Sequence, residues 1–329
     1  MVAFSYTAPQ FTEQDSMKER AAMTSEQMQQ IESECLGQNI SVLEETPELV
    51  EKAIHEMALH LVAIDDKTAY DKALQQVPQL VMRESPAIRF LRCERFCPEK
   101  AARRLVKYWD MRSFLFGSRA FLPMRLDGAL QDDIETIKDI PEAYFVTGKD
   151  DHGRLIVFTN KTRLDFSRHN RMSVMRYVWY QFHIHLEGFE GHNCNFVAVG
   201  QFRINSPKQF DRVQTKMSAA LIQEALPINL VCMHICHAPT FFNIVYPIMK
   251  FIMGKEIRLR TKMHSGSEEK VLQELEHYGI QRRLVLKSMG GGYDLKVEEW
   301  LTYRQQVEAS HHQLEISASE GGASQTTDV

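Results

Sequence analysis

Residues Pro227–Gly266, PINLVCMHICHAPTFFNIVYPIMKFIMGKEIRLRTKMHSG, decide the architecture of this chain. The stretch opens on an apolar run, Ile228–Cys236, bounded by Pro227 and by His237-Ala238-Pro239. A short apolar run between turn residues reads as a buried strand. Large side chains follow at once: Phe241, Phe242, Val245, Ile248, Met249, Phe251, Ile252 and Met253. They predict a helix over Thr240–Met253, broken near Pro247, because proline lacks the amide that the helical ladder uses. The apolar residues cover more than one stripe, so this helix requires cover on two sides. The sheet is one cover, and the other is either more protein or a ligand. Burying each such side chain is worth about 1.5–3 kcal/mol, so a permanently wet side is costly. A basic run overlaps the end of the helix: Lys250, Lys255, Arg258, Arg260 and Lys262, offset by Glu256. Read as a strand, Ile257–Met263 sends Arg258, Arg260 and Lys262 to one side. Such a row suits an anionic membrane surface, at about 1 kcal/mol per charge. A solvated charged face is the alternative.

Upstream, the order of elements fixes the fold class. Ala143–Thr147 and Leu155–Thr159 are short β-branched and aromatic runs joined by the turn-rich Gly148–Gly153. Ser173–Glu187 reads as a helix, Phe196–Val199 as a strand and Pro207–Leu226 as a helix. With Ser267–Tyr278 as a last helix, the order β-β-α-β-α-β-α-β-α implies an α/β fold with a mostly parallel sheet and helices packed on it. A small all-helical unit precedes it. Thr46-Pro47-Glu48 is a helix start, and Pro98 opens a second long helix carrying Ala101, Leu105, Tyr108, Trp109 and Phe116 on one face. The expected units are a mobile leader over 1–45, the helical unit over 46–117, the α/β domain over 118–294 and an extension over 295–329, disordered from about Ala309.

Composition narrows the function. The 329 residues are 44% hydrophobic and 25% charged, with a net charge of −4, so no overall basic bias points to nucleic acid. No apolar run reaches the length of a membrane span, and Met1–Gln30 has no signal-type apolar core, which suggests a cytoplasmic protein. Six cysteines without a CxxC pair read as reduced thiols. Phosphate-loop, dinucleotide and nucleophile-elbow motifs are missing from the sequence. Cys97 and Arg103 match a phosphatase spacing, but the residues between them are a helix start and not a phosphate cradle. His183, His185 and His192 are the one set that a metal-dependent enzyme could use. On a helix the first two diverge, so no metal is expected. Cys232 and Cys236 lie about 13 Å apart in a strand and cannot share one ion.

Five short motifs in order carry a resemblance. Ile88-Arg89-Phe90-Leu91-Arg92-Cys93-Glu94-Arg95-Phe96 resembles the L-R-F-L-R-A-R-x-F signature of the CRAL-TRIO N-terminal helical unit. Tyr108-Trp109-Asp110-Met111-Arg112 resembles its closing Y-x-x-W-R pattern. Ile235–Phe242 is similar to the family's I-N-A-P-x-x-F turn, Lys262–Gly266 to its H-x-H-G strand end, and Met289-Gly290-Gly291 to its terminal Y-G-G. The resemblance covers roughly Thr46–Asp294. It implies a soluble carrier that holds one hydrophobic ligand, such as a phospholipid, tocopherol or retinoid, between the sheet and a mobile helix that opens at a membrane. That helix here is Thr240–Met253. The chain departs from the phosphatidylinositol-transfer branch at Ile228, which replaces an acidic residue, and at Glu94, which replaces a basic one. From the tocopherol branch it keeps basic positions of a phosphoinositide-binding surface at Arg258 and Arg260, with Asn229 and Val231 replacing two others.

The expected ligand pocket is Phe158, Tyr177, Tyr180, Phe202, Phe241, Phe242, Val245, Ile248, Met249 and Ile252. Lys255, Arg258, Arg260 and Lys262, helped by Arg95, are expected to dock on anionic lipid. Beyond the bound lipid no cofactor is expected, and no nucleic-acid partner. The chain is expected to act as a monomer, in the cytoplasm and transiently at membranes. A lipid-sensing module of the same fold without net transfer is the other reading.

Overall fold

A computed structural model describes residues 9–38, 44–187, 194–204 and 210–323. Two short helices come first, α1 (Glu13–Ala21) and α2 (Ser25–Cys35). Each opens on a capping box. The Thr12 and Thr24 hydroxyls accept from the third helical amides, and Asp15 and Gln27 return the bond to the cap backbone. Residues expected to be a mobile leader are therefore helical, and α2 buries Glu34 and Cys35. Arg154, itself fully buried, holds the end of α2. It donates to the Glu34 and Cys35 carbonyls at 3.1 and 2.7 Å and pairs with Asp150 at 2.6 Å. The last carbonyls of a helix have no partners within it, so a guanidinium there satisfies them and offsets the helix dipole.

The helical unit follows as α3 (Pro47–Val62), α4 (Thr68–Gln76), α5 (Pro78–Glu84), α6 (Ala87–Cys93) and α7 (Pro98–Phe116), with α8 (Ile134–Asp139) leading into the sheet. Proline at the first position starts α3, α5 and α7. Arg112 of α7 is completely buried. It pairs with Glu84 at 2.6 Å and donates to the Ala120 and Leu122 carbonyls at 2.7 and 2.8 Å. Burial pushes the Glu84 carboxyl up, but the Arg112 guanidinium, His183 and the Met124 amide together hold the group below its usual range.

Then come β1 (Tyr144–Lys149), β2 (Leu155–Asn160), α9 (Arg171–Glu187), β3 (Asn195–Gln201), α10 (Arg212–Ala220), β4 (Asn229–Cys236), α11 (Phe242–Leu259), β5 (Thr261–His264) and α12 (Glu268–His277). Among the described residues these strands form one sheet in the order β1-β2-β3-β4-β5; β1–β2 is antiparallel and the rest parallel. Strand alternation sends Val157, Phe196, Ala198 and Leu230 toward α9–α11. Ile156, Phe158, Val197 and Val199 go to the opposite face, against Leu272, Leu275 and Val285. A bulge at Val231 keeps both Val231 and Cys232 on that opposite face. There also His234, fully buried, shares a hydrogen bond of 2.8 Å with His264, whose other ring nitrogen meets Glu274 at 2.7 Å. Burial holds the His234 imidazole well below its ordinary range.

The chain closes on α13 (Val297–Ala323), which continues past Ala309, where order was expected to end. Its Trp300 ring sits edge-on to Phe145, Tyr177 and Tyr180, and Glu308 bonds the Tyr180 hydroxyl and, at 2.8 Å, the Leu126 amide.

Candidate ligand cavity and cationic face

Between the sheet and α11 lies a cavity of about 110 Å³. Its floor is Val157, Phe196, Ala198 and Leu230; α9 adds Val178 and Phe182, and α11 adds Met249, Met253 and Ile257. Polar groups gather at one end. Gln214 donates to the Tyr144 hydroxyl and, at 2.8 Å, to the Ser218 hydroxyl, while the Lys161 ammonium donates to the Gln214 carbonyl at 3.2 Å. Asp211 also reaches this end, held by Arg171 and by the Gln214 amide. An apolar chamber with a few convergent polar groups is how small-molecule sites are built, but those run to about 300–1,000 Å³. The cavity here is smaller than those.

Helix α11 covers the cavity. Its inner residues Phe242, Val245, Met249, Met253 and Ile257 recur at helical spacing and pack on Phe202 and Ile235. Its outer side presents Ile244 and Phe251, both half exposed. The break falls at Gly254, with φ +71° and ψ 173°, and not at Pro247 as the sequence suggested. Proline at the sixth position of a helix removes one amide bond; a left-handed residue interrupts the helix outright, and glycine takes that conformation without steric cost.

Of the expected pocket residues, Phe202 and Met249 line the cavity. Phe242 and Val245 pack beside it in the cluster under α11, Ile248 is buried, and Phe241 and Ile252 are partly covered. Three lie elsewhere. Phe158 faces the opposite side of the sheet, one residue out of phase with Val157 and Thr159. Tyr177 and Tyr180 turn to Trp300 of α13, which the reading of the C-terminal extension had not docked on the domain. Sequence reasoning missed Val157, Phe196, Ala198 and Leu230, which strand alternation could have assigned, and Lys161, Tyr144 and Gln214.

The basic residues are also placed differently. Ile257–Leu259 completes α11 and β5 starts only at Thr261, so Arg258, Arg260 and Lys262 do not line one strand. Each meets an acid of the N-terminal helices. Arg258 holds Glu19 at 2.6 Å, Arg260 holds Glu34 at 2.6 Å and Lys262 holds Glu32; Arg95 approaches Glu34 at 3.6 Å. Lys255 is exposed. Lys250 joins the set through Glu13 at 3.3 Å and Ser16 at 2.9 Å.

His183 bonds Glu187 at 2.9 Å, and His192 lies outside the described residues. Among the described residues no group of three His, Cys, Asp or Glu side chains is placed to hold a metal, and no helix is long and apolar enough to cross a membrane.

The family model described as CRAL/TRIO domain matches residues 141–291. A solved structure, titled crystal structure of Sfh5, is similar at 13% identity with a TM-score of 0.44, over 74% of this chain and 99% of that one. No curated protein matches. The matched span runs from the first strand of the sheet to the Gly290-Gly291 turn, and the family is one of lipid-binding and lipid-transfer proteins. Residues 141–291 of this chain are thus similar to the CRAL/TRIO domain.

Proposed function

We propose that this protein carries one hydrophobic ligand, a phospholipid or an isoprenoid-like lipid, in the space beneath α11, and exchanges it at anionic membranes. The observation that carries the reading is the apolar cavity roofed by Met249, Met253 and Ile257 of a helix that is interrupted at Gly254. A roof in two segments can swing without unfolding the sheet below it. The outward Ile244 and Phe251, beside Lys255 and the other α11 cations, suit an interface in which apolar side chains enter the acyl boundary and cations meet headgroups. The ligand's polar end would lie at Lys161, Tyr144 and Gln214. We read the chain as a carrier and not an enzyme, because the polar groups at the cavity are bonded to one another or cap α10.

The test is exchange of a labelled phospholipid between vesicles. Protein-dependent exchange that is faster between anionic than between neutral vesicles is expected. Binding of the lipid without exchange would contradict transfer and leave a lipid-sensing module.

A further inference from the structure

α1 has no buried residue, and ion pairs to Lys250 and Arg258 hold it. Among the described residues, both of its ion-pair partners lie on α11. Glu13 and Ser16 meet Lys250, and Glu19 meets Arg258 through two hydrogen bonds. Just ahead of α1, the Phe11 ring stacks against the Arg258 guanidinium at 3.7 Å, and the Phe11 amide donates to the Pro247 carbonyl at 3.0 Å. Lys250 and Arg258 stand on opposite sides of the break at Gly254, and Arg258 also donates to the Lys250 carbonyl at 2.9 Å. A single short helix thus ties both segments of the interrupted roof together.

We propose that α1 is an acidic clasp on α11, and that an anionic lipid surface competes with it for Lys250 and Arg258. The inference rests on the membrane-docking reading above. Three features support it. α2 is fastened by buried Arg154 and Cys35, so α1 can lift about the short Ala22–Thr24 link while the rest of the N-terminus stays. The Glu13–Lys250 pair, whose carboxylate is exposed, is weak and screened by salt, so a dense anionic surface can replace it first. Last, a wide polar cleft of about 860 Å³ opens between α1 and α12, where Lys262, Lys270 and His277 join Lys250 and Arg258. Anionic headgroups can reach the clasped cations from that side before α1 has left. Displacement then frees the α11 segments in the same step that docks them, so the cavity opens where a lipid acceptor is present.

The test compares the full chain with its Glu13→Gln, Glu19→Gln double variant. Hydrogen exchange over residues 242–259 reads the clasp without any membrane. Binding to phosphatidylcholine vesicles with and without phosphatidylserine reads the competition. The variant is expected to exchange faster over 242–259 and to bind phosphatidylserine vesicles roughly fivefold more tightly, with neutral vesicles unchanged. The equal charge change Glu48→Gln, Glu51→Gln on α3 is expected to alter neither readout. Unchanged exchange over 242–259, or the same gains in the α3 variant, would overturn the clasp. Faster exchange with no anionic-vesicle binding by either protein would instead overturn the docking reading, and with it the competition.

Discussion

Arg258 near the end of α11 and Glu19 of α1 form a two-pronged ion pair, Nη2 to Oε1 at 2.6 Å and Nε to Oε2 at 3.1 Å. Both side chains are largely covered, so the pair occupies the cation that an anionic surface would contact. Reversing the charge at Arg258 and its neighbour Arg260, which holds Glu34, places like charges against α1 and α2 and removes two cations from the docking face. The Arg258→Glu, Arg260→Glu variant is expected to bind anionic vesicles at least several-fold more weakly while retaining its ligand content. Vesicle binding equal to that of the native chain would contradict the assignment.

Gly254 holds a left-handed conformation within α11. Any side chain there costs about 1–3 kcal/mol, and a Cβ would also come within 3.3 Å of the Gln223 amide oxygen. Gly254→Ala is therefore expected to lower stability by roughly that amount in denaturant unfolding and to shift the rate of labelled-lipid exchange. If both remain at native values, the break is not where the helix articulates.

The two faces of the sheet separate ligand binding from stability. Ala198 lines the cavity, whereas Phe158 lies behind it. Ala198→Phe is expected to fill the cavity and reduce bound lipid in a folded protein. Phe158→Ala is expected to cost about 3–5 kcal/mol without altering lipid content per folded molecule. Extraction and mass analysis of lipid from each purified variant, beside a melting curve, checks the pair. The reverse pattern would exchange the roles of the faces.

The fully buried Arg112–Glu84 pair offers a sharper stability readout. Arg112→Met removes the closest cation from the buried Glu84 carboxylate, leaving it only the Met124 amide at 2.9 Å and Arg83 at 3.6 Å, and is expected to destabilise the fold by about 3–5 kcal/mol. An unfolding midpoint within error of the native one would show that the pair does not hold α5 to α7.

His234 gives the pH dependence a direction. Burial depresses its folded-state pKa, whereas the unfolded chain titrates near about 6.5. Below that pH the unfolded state binds a proton that the folded state refuses, so stability is expected to fall as the pH drops through this window. His234→Gln, though less stable near neutrality, is expected to show a shallower decline. Equal slopes from melting curves would locate the acid sensitivity elsewhere.

Periodicity carried most of the fold. Strand-length apolar runs, proline-started helices and the glycine-rich hairpin gave the order of strands and helices in the α/β domain as observed, and the motif at Ile88–Phe96 placed the helical unit before it. Tertiary choices were not written locally. Which face of β2 receives Phe158 depends on what packs behind the sheet, and there α12 and Val285 receive it. Tyr177 and Tyr180 gave no hint that Trp300 would come back to cover them. The N-terminus erred in the other direction: polar composition suggested mobility, yet Thr12-Glu13-Gln14-Asp15 and Thr24-Ser25-Glu26-Gln27 are legible capping boxes. The basic run was real in sequence, but its acidic partners lie more than two hundred residues away.

Native mass spectrometry of the protein purified from its own source tests the central claim most directly. One lipid per chain is expected, retained through purification and lost or reduced in Ala198→Phe. A native protein of unliganded mass after gentle isolation, or undiminished lipid in Ala198→Phe, would contradict a ligand held beneath α11.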